Sequence, residues 1–409
     1  MASLLSWAHA AFADSSEAVA APTSWLRPAL VYDGSGLWNT RGGARTGSTY
    51  GGVLHARLTA SGDAAGWPGT SAFLDVQTID GGRPSQLVGD AQGTSNLEGP
   101  SGTQIEEAWV QQNFNGSSAS VLVGIYDLGS EFYRLTAAGL LLNSSFGVGP
   151  EFAQSGVEGP SIFPRTSAGL RLAVKPTANT VLRAALLDGV PVVRPDGSHA
   201  AFRGGDGVLG VLEFAWLSRG ASAAPPASET RDRIGRYSAL PSYDDKLAAG
   251  MWRYSGRFAD LSDVHRNGDP LLRQGDLGAY VVGERLLIGE ADGTGRRLSI
   301  FGQAGLADAR MNRFSSYVGA GIVGSGWGPM QDSDQAGLSI AHARNGSHYL
   351  RAVASTRPRR AETTVELSYL TKVSKFMTLQ PDIQYVIHPD TDPSLANALV
   401  LQLRFELAF

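Results

Sequence analysis

Apolar and polar residues alternate along the last stretch of the chain, residues 398–409. Every odd position from 399 onward is Leu or Phe, whereas the polar residues Gln402, Arg404 and Glu406 occupy even positions. Because successive side chains of a strand point to opposite faces, this period of two predicts a β-strand with one apolar and one polar face. The apolar face of such a strand packs either on a second sheet of a soluble protein or on the lipid around a barrel.

The two preceding segments repeat the alternation. Residues 379–388 place Ile383 and Tyr385 on one face and polar residues on the other, and residues 363–371 follow the same pattern. A short turn at 372–377 separates these two segments, and a Pro-containing loop at 389–397 precedes the last strand. If the chain ends on the periplasmic side, the turn is periplasmic and the loop is external. Short periplasmic turns and longer external loops are typical of outer-membrane barrels.

Further strands are predicted along the rest of the chain, at 30–37, 49–59, 71–79, 105–114, 119–126, 169–174, 181–187, 207–216, 246–254, 277–287, 298–306, 317–324, 336–343 and 350–354. An even strand number is required when both termini lie on the same side of the membrane. The pattern therefore predicts an all-β fold, a transmembrane antiparallel up-and-down β-barrel of about 16 strands.

Composition agrees with a barrel and excludes several other classes of protein. The chain has 34 Lys and Arg against 38 Asp and Glu, a net charge of −4 that does not indicate nucleic-acid binding. It has no Cys, so it has no disulfide framework and no thiolate nucleophile. No segment reaches the roughly 18–20 apolar residues of a membrane helix, so a membrane protein with this sequence must be a closed barrel.

Three segments at the N-terminal end are expected to differ in role. Residues 1–13 end in Ala11-Phe12-Ala13, which resembles a signal-peptidase site and predicts the remnant of a signal peptide. A short mature helix is the alternative for this segment. The Ser-, Ala- and Pro-rich residues 14–28 are predicted to form a tether, and residues 29–409 the outer-membrane barrel.

Two long stretches within the barrel sequence lack the strand pattern. They lie near 80–104 and 127–165, and each is longer than the usual connection of a compact fold, which favours a functional loop or disorder. A short helix is expected near 135–142 in the second stretch. The segment 218–243, with an Ala- and Pro-rich run followed by an Arg-rich half, is an insertion or loop.

Enzyme and metal motifs are weak or missing from the sequence. Residues 319–324 fit G-x-G-x-x-G, but the following 325–329 cannot begin the helix that a dinucleotide site requires. The seven His residues have no metal-ligand spacing, and no G-x-S-x-G nucleophile motif occurs. We therefore expect no catalytic residues, no metal and no cofactor.

Seven ordered stretches resemble the carbohydrate-selective porins of the OprB type, over about residues 25–409. They are Gly66–Gly69, Gly89–Asn96, Glu107–Gln112, Asp127–Phe132, Leu142–Gly147, Tyr254–Phe258 and Leu379–Tyr385. The resemblance implies a 16-stranded outer-membrane barrel whose loops fold inward and narrow a sugar-conducting channel. The chain departs from the family near 328–331, where a basic residue is expected, and in the 218–243 insertion.

Candidate channel residues follow from the chemistry of sugars and from strand parity. A sugar filter needs charged hydrogen-bonding groups and aromatic surfaces in a narrow aqueous throat. Arg171 and Arg183 alternate with leucines and are expected to face the lumen. Asp127 and Glu131 begin the second long stretch, and Glu107 lies beside Trp109 on a strand. Each residue alone is better explained as a solvated lumen or loop charge, whereas the set together favours a constriction of the channel.

Two further candidates are less specific. Arg257 lies in the resembling stretch 254–258, where a loop-anchoring salt bridge explains it as well as a channel role. Trp252 is either an aromatic platform for a sugar ring or a girdle residue facing lipid. The sequence does not decide between these roles.

The function expected from the sequence is an outer-membrane porin for passive diffusion of carbohydrates, namely monosaccharides such as glucose and related small sugars. Its partners would be small neutral sugars and outer-membrane lipid, with a homo-oligomer as an option. A general or anion-preferring porin is the first alternative. A soluble β-rich glycan-binding protein is the second. An enzyme is not expected, because no catalytic constellation is present.

Overall fold

The structure is a computed structural model that describes residues 25–193, 199–200, 202, 205, 207–218, 243–289, 295–328 and 334–409. The expected signal-peptide remnant 1–13, most of the tether 14–28 and most of the insertion 218–243 lie outside these residues. Part of the 328–331 segment lies outside them as well. Across the described ranges, no helix is both long and apolar enough to span a membrane.

Sixteen strands of the described residues form one closed antiparallel barrel. They are β1 (Leu26–Gly43), β2 (Gly47–Ser61), β3 (Thr70–Gly81), β4 (Gly102–Phe114), β5 (Ala119–Tyr126), β6 (Ser167–Thr177), β7 (Thr180–Asp188), β10 (Val208–Leu217), β11 (Asp245–Val264), β12 (Pro270–Ile288), β13 (Arg297–Ala307), β14 (Phe314–Ser325), β15 (Gln335–Asn345), β16 (Ala361–Ser374), β17 (Met377–Ile387) and β18 (Ala396–Ala408). Two short strands of two residues each, β8 (Val192–Val193) and β9 (His199–Ala200), pair with each other between β7 and β10 in the chain.

The barrel closes where the first strand meets the last. β1 pairs with β2 on one side and with β18 on the other, with Val31 opposite Ala408. Every strand of the cylinder therefore has two neighbours, so no edge is left to hydrogen-bond with lipid or with another chain. This arrangement confirms the predicted barrel of about 16 strands.

The predicted alternation of faces is present in the last strand. Leu401 and Leu403 are 39% and 42% exposed, whereas Gln402 and Arg404 are 3% and 2% exposed. Odd residues thus form part of the outer surface, and even residues point into the lumen. An outward apolar face that alternates with an inward polar face is the arrangement expected for lipid outside and water inside.

One predicted strand is wrong. Residues 350–354 were expected to form a strand, but α3 (Ser347–Ala352) and the 3-10 turn Ala354–Thr356 occupy this region. The amide of Leu350 donates to the carbonyl of Gly346 at 3.0 Å, which is a helical hydrogen bond. A short apolar run has no period long enough to separate a strand from a helical turn, which explains the error.

Two long connections enter the barrel lumen. The first, 82–101, contains α1 (Ser85–Val88), and the second, 127–166, contains α2 (Pro150–Ala153) and the 3-10 turn Ala137–Leu140. We call them the first and second lumen loops. They contact each other, since the amide of Ser144 donates to the carbonyl of Gly93 at 2.7 Å. Together they fill a large part of the barrel interior.

Candidate functional site

The second lumen loop begins with a capped turn. The carboxylate of Asp127 accepts a hydrogen bond from the amide of Gly129 at 2.8 Å, and the hydroxyl of Ser130 donates to the Asp127 carbonyl at 2.6 Å. Asp at this position satisfies an amide that would otherwise lack a partner at the start of a helical turn. The chain thus leaves β5 in a fixed direction, towards the barrel interior.

Inward glutamates of the wall hold the backbone of both loops. The carboxylate of Glu362 accepts from the amides of Ala91 and Gln92, both at 2.9 Å. The carboxylate of Glu284 accepts from the amides of Thr136 and Ala137, at 2.9 and 2.8 Å. Hydrogen bonds to charged groups are stronger than neutral ones, at roughly 1.5–3 kcal/mol each. These wall carboxylates therefore anchor the loops.

Two further wall glutamates act in the same way. The carboxylate of Glu366 accepts from the amides of Leu142 and Asn143, at 2.5 and 3.2 Å. Glu213 accepts from the amide of Tyr133 at 2.9 Å. Three strands of the wall, β10, β12 and β16, thus hold the two loops through these four glutamates. Parity identifies these glutamates as inward-facing, but the sequence carries no signal that their partners are loop amides.

Three of the predicted channel residues form one buried ion-pair network. Glu131 lies 2.8 Å from the Arg171 guanidinium and 4.0 Å from that of Arg183. The hydroxyl of Tyr126 donates to the same carboxylate at 2.5 Å, and Arg183 is also 3.4 Å from Glu213. The structure therefore brings Glu131, Arg171 and Arg183 together in one buried network.

The electrostatics of this network favour its charged form. Burial raises the pKa of Glu131, but the positive charges of Arg171 and Arg183 outweigh burial and hold the pKa below its usual value. Arg171 is only 1% exposed and donates to Gln111 and Ser120 as well, each at 2.5 Å. A guanidinium with this many partners is fixed in place, which is the geometry of a loop anchor.

The remaining predicted residues take separate positions. The indole of Trp109 donates to Glu107 at 2.8 Å, so this carboxylate is part of the buried wall. Trp252 points inward, away from lipid, and stacks on Phe152 of the second lumen loop at 4.8 Å between ring centroids. Arg257 lies on the exposed outer face of β11 and reaches Gln274 at 3.3 Å. These three residues do not line the cavity described below.

Apolar packing holds the second lumen loop against one side of the wall. Phe146 meets Phe301 edge-on at 5.8 Å, and Phe152 stacks on Trp252. Each buried Phe contributes about 1.5–3 kcal/mol relative to an exposed one. These rings belong to a single apolar cluster that joins the loop to strands on this side of the barrel. This packing fixes the second lumen loop against β11 and β13.

One carboxyl lies within that apolar contact. Glu151 of α2 is 1% exposed, and its Oε1 accepts from the hydroxyl of Tyr133 at 3.0 Å. Its Oε2 has no hydrogen-bond partner among the described residues. Burial raises the pKa of Glu151 to about 7. Near neutral pH this carboxyl therefore exchanges a proton while it remains packed.

A cavity of about 530 Å³ lies between the two lumen loops and another part of the wall. Wall residues from β1, β2 and β4 line one side, and residues of both lumen loops line the other. Asp127 is the one predicted channel residue that lines it. The volume falls within the roughly 300–1,000 Å³ typical of small-molecule sites. Polar residues of the lining include Asp33, His55, Arg57, Glu106, Asp127 and Ser144.

Four charged or titratable wall residues meet at this cavity, and we call them the wall quartet: His55, Arg57, Asp75 and Glu106. Arg57 donates from Nε to Asp75 at 2.9 Å. The Nδ1 atom of His55 lies 3.1 Å from Asp75 and 3.3 Å from Glu106. Two carboxylates thus face two basic groups, and the wall presents both hydrogen-bond donors and acceptors to the cavity.

The sequence analysis missed the wall quartet for two different reasons. His55 and Arg57 alternate with Leu54 and Leu58, so the parity that placed Arg171 inward would have placed them inward too. Glu106 has no such signal, because a register shift in the β3–β4 pairing sets both Glu106 and Glu107 inward. A bulge of this kind breaks the period of two.

Two groups of described residues bring metal-type ligands together. His55, Asp75 and Glu106 form one group, and Asp260, Asp263 and His348 form the other. In each group an arginine already binds a carboxylate, Arg57 at Asp75 and Arg273 at Asp260. A guanidinium at that distance opposes a second cation. Ion pairing therefore explains why these acidic and histidine side chains lie close together in both groups.

Comparison with known proteins identifies the kind of barrel. A family model described as carbohydrate-selective porin, OprB family, matches residues 53–409. A high-pH structure of Pseudomonas putida OprB is similar, with a TM-score of 0.77, 18% identity and 94% of each chain covered. A low-pH structure of the same protein is similar with a TM-score of 0.55 at 15% identity, covering 94% of this chain and 92% of that one.

A more distant channel has the same architecture. The outer-membrane channel DcaP of Acinetobacter baumannii gives a TM-score of 0.50 at 8% identity, covering 94% of this chain and 97% of that one. No curated protein sequence matches the chain. At such identities the solved structures establish the fold alone, while the family model covers most of the chain.

Proposed function

Because this chain belongs to the OprB family of carbohydrate-selective porins, we propose that it conducts small neutral sugars, monosaccharides such as glucose. Its family and its closed barrel are those of an outer-membrane channel and not of an enzyme. The proposal concerns the sugar, the route and the residues that contact it. The observation that supports it is a cavity of about 530 Å³ between the wall and the two lumen loops, lined by charged and apolar residues together.

The route that we propose runs along this cavity. On the opposite side, apolar packing joins the second lumen loop to the wall. The cavity is lined by His55, Arg57 and Glu106 of the wall quartet and by Asp127 and Ser144 of the second lumen loop. A sugar that loses part of its hydration there can exchange water for charge-assisted hydrogen bonds.

The charge pattern of the cavity supports a neutral solute. In the wall quartet, Asp75 and Glu106 oppose Arg57 and His55 within a few ångströms. Across the whole lining, five carboxyl groups accompany three arginines and His55, so charges of both signs offer hydrogen bonds to a polar neutral molecule. A channel that preferred anions would require an excess of basic groups along this route.

The predicted filter residues divide into two roles in this proposal. Asp127 keeps its role at the cavity. Glu131, Arg171 and Arg183 are assigned to anchoring the second lumen loop, because they are buried and bind one another. Glu107 and Trp252 support the wall and the loop, and Arg257 lies outside the route.

The orientation of the barrel follows from its connections. The two lumen loops leave from one end of the cylinder, and the two-residue turn 375–376 lies at the other end, together with Ala408. We place the lumen loops at the external end, since short turns are typical of the periplasmic end. One long connection, 218–244, joins β10 to β11 at the short-turn end.

Liposome swelling with the purified protein tests the choice of solute. Glucose, gluconate and glucosamine differ in charge but little in size, so their relative rates isolate charge selection. We expect glucose to enter at least severalfold faster than either charged analogue. A faster rate for gluconate would instead support an anion-preferring porin. Equal rates for all three would support a general one.

A further inference from the structure

The outer face of the β15–β16 pair changes from apolar to basic along its length. Leu338 and Ile340 are exposed on β15, and Leu367 is exposed beside them on β16. Further along the same face come His342, which hydrogen-bonds Thr363 at 2.8 Å, and then Arg344. This order places one cationic side chain directly beyond the apolar band that faces lipid.

The position of Arg344 matches the edge of the membrane. Nine residue steps separate Gln335 from Arg344 on β15. At about 3.3 Å per residue they span roughly 30 Å along the strand. With a tilt of about 40°, this becomes roughly 23 Å along the barrel axis, close to the ~25 Å apolar band of such barrels. Arg344 therefore lies near the level of the lipid headgroups.

Three more exposed arginines lie in the connection that follows. Arg357, Arg359 and Arg360 are exposed, and Ala361 pairs with Arg344 in the strand register. The backbone here is tied down, since the amide of Asn345 donates to the carbonyl of Arg360 at 2.9 Å. The amide of Arg359 donates to the carbonyl of Thr391 at 2.7 Å. We call Arg344, Arg357, Arg359 and Arg360 the arginine rim.

Nearby carboxylates are already paired with other arginines. Arg313 binds Asp390 at 2.6 Å, and Arg310 binds Asp308 at 2.5 Å. In the parts of the chain that the structure describes, no ion pair involves a member of the arginine rim. Four exposed arginines thus lie close together along the backbone at this end of β15 and β16, and none has an ion pair among the described residues.

We propose that the arginine rim binds the phosphate groups of a phosphorylated lipid headgroup in the outer leaflet of the outer membrane. Guanidinium groups bind phosphate oxygens through two parallel hydrogen bonds, and clusters of basic residues beside a membrane attract anionic lipid headgroups. The acyl chains of the same lipid would lie along Leu338, Ile340 and Leu367. This inference rests on the proposed orientation, which places β15 and β16 with their basic ends outside.

Thermal unfolding of the full chain in detergent, with bisphosphorylated lipid A as the probe, tests the site. The variant carries Arg344→Gln, Arg359→Gln and Arg360→Gln. Arg285→Gln is the matched control, because Arg285 is equally exposed but lies at the short-turn end of β12. We expect lipid A to raise the melting temperature of the wild type and the control. We expect the triple variant to need at least tenfold more lipid A for the same rise.

Two further probes identify the chemistry that is bound. Dephosphorylated lipid A and inorganic phosphate are each expected to give less than a third of the shift. An equal shift with dephosphorylated lipid A, or an unchanged response of the triple variant, overturns the proposal. A heat-modifiability gel verifies that the variant is folded. If the triple variant changes anion preference of the pore while lipid A binding stays intact, the rim serves the pore mouth and the proposal is wrong.

The orientation of the barrel in the membrane is tested by a separate experiment. A wrong orientation can then be told apart from a failure of lipid binding or of sugar conduction. The chain has no Cys, so Ser355→Cys in the same connection supplies a single thiol. Labelling of this thiol on intact cells by a reagent that does not cross the outer membrane confirms an external rim. Absence of labelling refutes the orientation, and with it the outer-leaflet lipid, without bearing on sugar conduction.

Discussion

Replacing Glu106 by Gln removes one negative charge from the wall of the cavity while preserving the shape of the side chain. Glu106 lines the cavity and lies 3.3 Å from His55 of the wall quartet. An ion that passes about 5 Å from the carboxylate interacts with it by roughly 0.8 kcal/mol at a water-like dielectric constant, and by about 3 kcal/mol at an effective value of 20. The loss therefore acts directly on permeating ions.

The expected change is a shift of ion preference towards anions. A cation loses roughly 0.8 kcal/mol of attraction and an anion loses the same repulsion, so their difference changes by about 1.7 kcal/mol, or roughly tenfold in permeability ratio. Salt at 0.1 M, with a Debye length of about 10 Å, reduces this to a severalfold shift. The reversal potential across a planar bilayer in a tenfold salt gradient measures it.

Glu213→Gln is the matched control for this measurement. Glu213 is equally buried in the wall, but it binds Arg183 and the second lumen loop and does not line the cavity. We expect its reversal potential to stay close to that of the wild type, provided that a heat-modifiability gel shows a folded barrel. An unchanged potential in Glu106→Gln, or an equal shift in both variants, would refute the assignment of the cavity as the route.

Three further variants test other parts of the account. Leu403→Arg puts a charge on the lipid face near mid-strand and should destabilise the barrel by ~2–4 kcal/mol. Thr40→Arg, near the rim, should cost about 1 kcal/mol or less. Equal free energies of unfolding in urea for the two variants would contradict the assigned faces. Glu151 has a pKa of about 7 in the packed loop against 4.5 in water, so release of the loop should become easier by about 3 kcal/mol as pH rises from 4.5 to above 7. Hydrogen-exchange protection factors of residues 137–153, which remove the intrinsic pH dependence of amide exchange, should show this difference between pH 5 and pH 8.5 in the wild type and lose it in Glu151→Gln. Persistence in the variant would assign it to another group. Arg171→Gln should loosen the second lumen loop because it leaves Glu131 with a weaker partner. Amide hydrogen exchange at residues 127–135 should then rise at least severalfold. Unchanged hydrogen exchange would mean that Arg171 is a lumen charge and not a loop anchor.

The period-two pattern was enough to predict the barrel because parity along a regular strand decides which side chains face outward and which face the lumen. Leu403 and Gln402 are adjacent in sequence, yet one faces outward and the other faces the lumen. The same reasoning placed Arg171 and Arg183 correctly inside the wall. It failed at 350–354, where the run was too short to carry a period.

The position of the cavity could not be predicted in the same way. Parity states which residues point inward, but it does not state which of them the lumen loops cover. Arg171 and Arg57 both point inward, and only the packing of the second lumen loop buries the first and leaves the second at the cavity. The bulge that exposes Glu106 to the cavity is likewise a property of the pairing between β3 and β4 and not of a local pattern.

The most direct measurement of the central claim is the current through the reconstituted channel while glucose is titrated on both sides. The account predicts a saturable fall in current beyond the effect of viscosity, which is measured with a polymer too large to enter. It also predicts that Arg57→Gln, at the cavity, weakens this block at least severalfold, whereas the exposed control Arg285→Gln leaves it unchanged. A current that follows viscosity alone in the wild type, or an equal block in all three proteins, would contradict a sugar route along this cavity.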